Sequence, residues 1–263
     1  MKKLFAIFTA AAISVSAFAQ DNQIFNHLAV GPTIGFDGLG VEVVTTLTPI
    51  VQIHAGYSML IPPSVTIPGS SLSMIPETVN INGDVRQLRS EVSATAKFNF
   101  GAPKLLFDIF PGKNTPFHFT VGAYFANPAL LGVDVNMSKV LRQDEYASYY
   151  IELQENNINS RISSDKNGII RADVVGNVVR PYVGIGFGRA INPSRRVGVT
   201  FDMGVVYWGS GKLQSYDYTL NDAGRPVVIT SEMLNKQDQG IIDTVSSIPV
   251  LPVMKLNVII RIF

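Results

Sequence analysis

Three groupings of residues have types and spacings that chemistry uses. In RPYVGIGFGRA (180–190), Gly184, Gly186 and Gly188 fall at every second position. A phosphate-binding glycine loop needs a strand, then glycines in a tight turn, then a helix whose N-terminus faces the phosphates. Glu42, His54 and Ser58 are the residue types of an acyl-transfer triad. SDKNGII (164–170) offers acidic and amide oxygens beside a glycine, the elements of a calcium loop. Each grouping works only if the surrounding elements hold it in the right shape.

Those elements read as strands. In 50–60, Val51, Ile53, Ala55, Tyr57 and Met59 share one face, while Gln52, His54, Gly56 and Ser58 share the other. Period two with one apolar face marks a strand. The same split recurs over 27–36, 39–47, 117–125, 180–190, 196–208 and 254–263. In 87–110 the apolar residues move from even to odd positions at Gly101-Ala102-Pro103, which predicts one long strand with a bulge. The total is eight strands, or ten if that segment divides. Short turns fall near 48–49, 111–116 and 191–195, with a tight turn at Asp37-Gly38. Long connections fall at about 61–86, 127–178 and 209–252.

On this frame the groupings change meaning. Val183, Ile185 and Phe187 alternate with the glycines inside a strand, and Asn192-Pro193-Ser194 leads straight into another strand. Without the confirming helix, the glycines leave room in a narrow interior. A matched register across the 47–49 turn sets Glu42 opposite His54, but same-face residues four apart, His54 and Ser58, stand about 13 Å apart. That exceeds hydrogen-bond reach, and the pattern predicts a polar interior network. SDKNGII lacks a closing Glu and predicts a hairpin turn at Lys166-Asn167-Gly168. His27 and His118 are placed near one rim, with no ligand cluster and no metal site.

Composition bounds the class. The hydrophobic content is 46%, yet beyond the first 20 residues no apolar run is long enough for a helical span. Apolar residues spread over short alternating segments are the mark of an outer-membrane barrel, whose strands need about 10 residues each. The opening MKKLFAIFTAAAISVSAFAQ has a basic start, an apolar run and Ala17-Phe18-Ala19, the pattern of a cleaved signal peptide over 1–19. One barrel domain is expected over 20–263. The chain has no cysteine, and without Lys2 and Lys3 its 21 basic residues fall to 19 against 20 acidic ones. Nucleic acid is therefore not an expected partner.

HLAVGPTIGFDGLGVEVVTTLTPIVQIHAGYSML (27–60) and RPYVGIGFGRAINPSRRVGVTFDMGVVYWG (180–209) resemble the small outer-membrane β-barrel proteins of Gram-negative bacteria, the OmpA/OmpX-like group. The likeness covers most of the chain in pattern and implies an all-β, antiparallel, up-and-down transmembrane barrel with long extracellular loops. It implies outer-membrane lipid and lipopolysaccharide as surroundings, and barrel assembly machinery acting through the terminal Phe263. Arg261 and Asn257 share parity with Phe263, where the group keeps apolar or aromatic residues. Pro32 is a second departure, since a closed barrel has no free edge to absorb a missing N–H.

The inward positions collect Glu42, His54, Arg89, Glu91, Lys97, Lys104, Asp108, Arg180, Asp202, Lys255 and Arg261. A barrel of eight strands is only wide enough for its side chains to fill it, so these predict a salt-bridged plug with no cofactor. The expected role is structural or surface-binding, through the extracellular loops, with an unknown loop ligand. A small passive channel is the first alternative and a lipid-modifying enzyme the second. EYASYYIELQ (145–154) is the aromatic part of the longest loop and the place to look for contacts. Residues 230–249 predict a short helix capped by Thr230 or Ser231.

Overall fold

The computed structural model describes residues 25–61, 64–71, 77–81, 83–146, 149–155, 158–192, 194–233 and 247–263. The expected signal peptide lies outside them, as does most of the expected helix over 230–249, of which Ser231–Met233 form a 3-10 turn. The strands in the first half are β1 (Leu28–Gly35), β2 (Gly38–Thr48), β3 (Val51–Met59), β4 (Ser64–Pro68), β5 (Thr78–Ile81), β6 (Asp84–Gln87), β7 (Ser93–Phe98), β8 (Pro103–Ile109) and β9 (Phe117–Phe125). They continue as β10 (Ala129–Asn136), β11 (Tyr150–Glu155), β12 (Ile158–Ser163), β13 (Ile169–Val175), β14 (Val179–Gly188), β15 (Val197–Tyr207), β16 (Lys212–Asp217), β17 (Arg225–Ile229) and β18 (Val250–Arg261).

Eight of them close into an antiparallel barrel in the order β1-β18-β15-β14-β9-β8-β3-β2. The alternation that identifies them survives in three dimensions. On β15, Val197, Val199, Phe201, Met203, Val205 and Tyr207 face out, while Gly198, Thr200, Asp202 and Val206 are buried. No outward position on any of the eight strands carries a charge. Phe117, Phe119 and Phe187 cluster at one end of the outer face, with ring centroids 5.0 and 5.4 Å apart. Tyr57, Phe125 and Tyr207 stand exposed at the other end. Apolar flanks with aromatic girdles are the outward face of a membrane barrel.

The long connections are not irregular. They form a second, six-stranded sheet in the order β17-β16-β13-β10-β7-β4. Each of its strands neighbours a barrel strand in sequence, and the six follow the order of β18, β15, β14, β9, β8 and β3. The wall therefore continues upward as a second storey after breaks near 60–61, 99–102, 126–128, 176–178 and 208–211. β1 and β2 have no upper counterpart among the described residues, because they meet in a tight turn at Phe36-Asp37, one residue before the expected Asp37-Gly38, with Gly35 paired to Gly38. Gly38, which opens β2, adopts φ +98°, a left-handed conformation that disfavours side chains.

The segment 87–110 departs from expectation. It is two strands in two sheets, β7 above and β8 in the barrel, and the parity change at Gly101–Pro103 marks the passage between storeys. A small separate core of Ile81, Leu88, Val92, Met137, Val140 and Leu141 supports the upper connections, with Tyr146 and Tyr149 packed on it. Part of the aromatic segment 145–154 is thus packing, while Tyr150 and Ile151 stay exposed. The turn at 165–168 is held by Asp165, whose Oδ1 accepts from Asn167 N (2.8 Å) and Ile169 N (3.0 Å). Its flanking strands β12 and β13 belong to different sheets, so it is a tight turn but not the link of a paired hairpin.

Pro32 is accommodated at the seam. β1 pairs with β2 without interruption, but its ladder with β18 skips Gly31 and Pro32. The missing N–H falls where the first and last strands meet, the least regular join in the wall.

Candidate functional site

The interior is built in three layers, and the middle one holds a connected set of carboxylates and basic side chains. Glu42 on β2 faces Gly56 on β3, not His54 as a matched register across the turn would give. The turn lies at Pro49-Ile50, and a register shift between Thr46 and Thr48 moves the pairing. Glu42 still reaches His54 diagonally, accepting from Nδ1 at 2.9 Å. The other ring nitrogen, Nε2, lies 2.8 Å from Asp108 Oδ2 on β8. Asp108 also stands 3.4 Å from His118 Nε2 on β9, and that nitrogen donates to Asp202 Oδ1 on β15 at 2.7 Å. Lys255 on β18 lies 3.8 Å from Asp202 and 3.7 Å from Glu42.

These contacts close a ring in which carboxylates alternate with basic side chains: Glu42, His54, Asp108, His118, Asp202, Lys255 and back to Glu42. An arm leaves it through Lys104, 2.8 Å from Glu42 and 3.2 Å from Asp37, and Asp37 accepts from Ser58 Oγ at 2.6 Å. Both nitrogens of His54 face carboxylates, an arrangement satisfied when both carry hydrogen. Thr120 donates to Asp108 (2.8 Å), and Asn257 donates to Thr200 (2.8 Å) and Asp202 (2.9 Å). All of these groups are buried. Buried charges persist when they are paired and further hydrogen-bonded; each carboxylate here has a basic partner, while His118 Nδ1, Asp37 Oδ1 and Asn257 Oδ1 have no hydrogen-bond partner among the described residues.

The glycines of β14 are part of the same layer. A Cβ on Gly186 would press on His118 Nε2 and Asp202 Oδ1, so the ring closes only because this position has no side chain. Below lies an apolar floor of Ala29, Val44, Ala190, Ile191 and Ile259. Gln52 holds it by donating from Nε2 to Ile191 O (2.7 Å) and accepting from Ile191 N (3.3 Å). Arg189 stacks over Phe110 (3.9 Å) and donates to the carbonyls of Pro49 (2.8 Å) and Lys113. Above the ring, Ala102, Leu106, Tyr124, Ala126, Tyr182, Val206 and Val253 form an apolar ceiling.

The structure brings together Glu42, His54, Lys104, Asp108, Asp202 and Lys255 of the expected network. It places the others elsewhere. Arg89, Glu91 and Lys97 belong to the upper storey, because 87–110 divides between sheets. Arg89 meets Glu77 at 3.5 Å, Glu91 is exposed, and Lys97 pairs with Asp134, which also accepts from Arg171 Nε (3.0 Å). Arg180 lies in the ceiling, donating to the carbonyls of Asn177 (2.8 Å) and Asn127 (2.6 Å). Arg261 lies at the floor end, donating to Asn192 O (3.1 Å).

Sequence reasoning missed Asp37 and placed His118 at the rim without partners. His118 is instead a member of the ring, and its Nε2 with one oxygen each of Asp108 and Asp202 could ligate a cation. A metal ion there would have to displace the His118–Asp202 hydrogen bond and lie beside Lys255, so the residues serve first as one another's partners. Ser58 is committed to Asp37 and His54 to two carboxylates, so the Ser58, His54 and Glu42 types do not assemble as a triad.

No protein-family model matches the chain, and no curated protein matches it. Among solved structures it is similar to CarO2 of Acinetobacter baumannii, with 18% identity and a TM-score of 0.46 over 91% of this chain and 100% of that one. CarO of the same organism gives 18% identity and 0.45 over 91% and 99%. A major outer membrane protein of Thermus thermophilus gives 9% and 0.36 over 90% and 99%. The strand pairing itself carries the architecture: eight antiparallel strands, closed, apolar outside and ionic within. In fold, this chain is an eight-stranded barrel of the outer-membrane type.

Proposed function

We propose that the protein spans the outer membrane with a lumen filled by its own side chains, and acts structurally or by surface binding through its upper storey. The observation that carries this reading is the three-layer filling, in which floor, ion-pair ring and ceiling follow one another along the barrel axis. The uncharged outer face supports the membrane setting, since Arg or Lys at the bilayer midplane costs about 2–4 kcal/mol. Residues 1–19 act as the export signal. Phe263, exposed beside the seam where its carbonyl accepts from Leu28 N (3.2 Å), is available to assembly machinery, and lipopolysaccharide surrounds the outer half.

Planar bilayer recording of the purified protein tests the filled lumen. The expected result is no resolved conductance step. Stable openings of the unmodified protein would favour the passive channel instead.

A further inference from the structure

The barrel wall has a notch. β18 begins at Val250, but its pairing with β1 ends at Gly35 and Lys255, with Phe36 N donating to Met254 O (3.1 Å) just above. Residues 250–253 therefore pair with β15 on one side and, among the described residues, meet no strand on the other. Met254 turns its carbonyl toward β1, so Pro252, of the same parity, turns its nitrogen toward the same open side. A proline is tolerated where no partner waits for an N–H. Among the described residues the adjacent β1–β2 turn carries no upper strand, and none of the second storey stands over the notch.

Behind the notch lies a cavity of about 280 Å³. Phe36 and Pro252 face outward and are exposed, yet both line it, so its opening runs onto the apolar outer face. Its inner wall includes Tyr124, Val206 and Arg180. Arg180 is only 2% exposed, and its guanidinium is held by two backbone carbonyls. Among the described residues no carboxylate pairs with it. Tyr124 stands opposite Arg180 across β9 and β14, and among the described residues its buried hydroxyl has no hydrogen-bond partner. Asp37 also lines the cavity, but one of its oxygens is committed to Ser58 and Lys104 below.

We propose that this cavity binds a single-chain carboxylate, a fatty acid, entering sideways from the membrane through the notch. The apolar lining takes the chain. The unpaired Arg180 and the unpartnered Tyr124 hydroxyl take the head, where a charge-assisted pair forms. A neutral hydrophobe leaves both polar groups unmet, and a small soluble acid leaves the apolar lining unmet. The volume lies just below the usual range of ligand pockets, about 300–1,000 Å³, and suits one chain better than a multiply acylated lipid. The site sits above the ion-pair ring, so it is compatible with a lumen closed to solutes.

Trp208, the only tryptophan of the chain, is buried one residue past the end of β15, whose Val206 lines the cavity, and serves as the near reporter. The test uses the full protein in phosphatidylcholine nanodiscs, titrated with brominated dodecanoate or brominated dodecanol while Trp208 quenching is followed. The wild type is expected to show saturable quenching by the carboxylate, at least tenfold tighter than by the alcohol. Arg180→Met is expected to lose that tenfold preference, and Arg180→Lys to keep most of it. Heat-dependent gel migration confirms that each variant is folded. Non-saturable quenching in the wild type, or an unchanged carboxylate preference in Arg180→Met, overturns the proposal.

Discussion

Gln52 and Ile191 hold each other reciprocally: the side-chain amide of one donates to and accepts from the backbone of the other, at 2.7 and 3.3 Å. The connection after β14 thereby folds under the barrel and buries Ile191 to 1% exposure. Gln52→Ala leaves a backbone donor and acceptor unmet in an apolar floor, an expected cost of about 1–3 kcal/mol in urea unfolding. Ile191→Ala is expected to cost about 2–5 kcal/mol by leaving a cavity. Bilayer conductance should stay absent in both, because the ring above remains. Open channels in either variant would mean that the floor alone closes the lumen.

Removing His54 leaves Glu42 and Asp108 facing each other's charge with no donor between them. His54→Phe is expected to destabilise the barrel by about 3–5 kcal/mol, the usual scale for breaking a buried pair. Glu91→Ala, at an exposed position of the upper storey, should stay within about 0.5 kcal/mol. Equal losses in the two variants would contradict the placement of the ring.

Gly186→Ala tests the ring without altering any charge. Its methyl group would occupy the space between His118 and Asp202. Loss of stability, with the His118 side-chain resonances shifted in NMR spectra, is expected. A variant as stable as the parent would show that the ring has slack.

The upper storey should respond to acid through Glu145. Hydrogen bonds from Arg86 (2.6 and 2.8 Å) and from the Arg142 amide (2.7 Å) hold the Glu145 carboxyl down from its ordinary 4.5 to about 2. A lowered value means that folding favours the charged form. The contribution is complete above about pH 4.5, declines below it, and is lost as pH falls through about 2. Protection of the Arg142 and Glu145 amides, measured as exchange relative to the intrinsic rate at each pH, should therefore fall between pH 4.5 and pH 2. In Arg86→Met that loss of protection should shift toward pH 4.5, and an identical profile would rule out the contact.

Spin labels at positions 201, 202 and 203 should report lipid, interior and lipid in turn, because strand parity sends them to opposite faces. Uniform accessibility to a membrane-confined relaxation agent at all three would reject the alternation.

The barrel was legible because a lipid-facing side and an ion-filled side impose opposite demands on successive residues, as at Phe201, Asp202 and Met203. The upper sheet was not, because its strands lack that contrast. All five residues of β4 are exposed, and three of the four in β6. Lys97 and Ala96 alternate as barrel residues would, which drew β7 into the wrong storey. His118 is the second residue of its strand, yet it meets Asp202, the sixth of another. Height along a barrel depends on the stagger between tilted strands, and alternation within one strand carries no measure of it. Asp37 read as a turn residue, since nothing local shows that a turn tip bends its carboxylate toward Lys104.

The absence of an upper counterpart for β1 and β2 bears on where the chain can be cut. The six-stranded sheet uses no residue of either, and Leu28 and Phe263 are already joined by a backbone hydrogen bond at the seam. A circular permutant of 25–263 with a short linker between its ends and new termini at Asp37-Gly38 would keep every ladder of both sheets. It would move the chain ends from one side of the membrane to the other, beside the only stretch of rim that carries no second storey among the described residues.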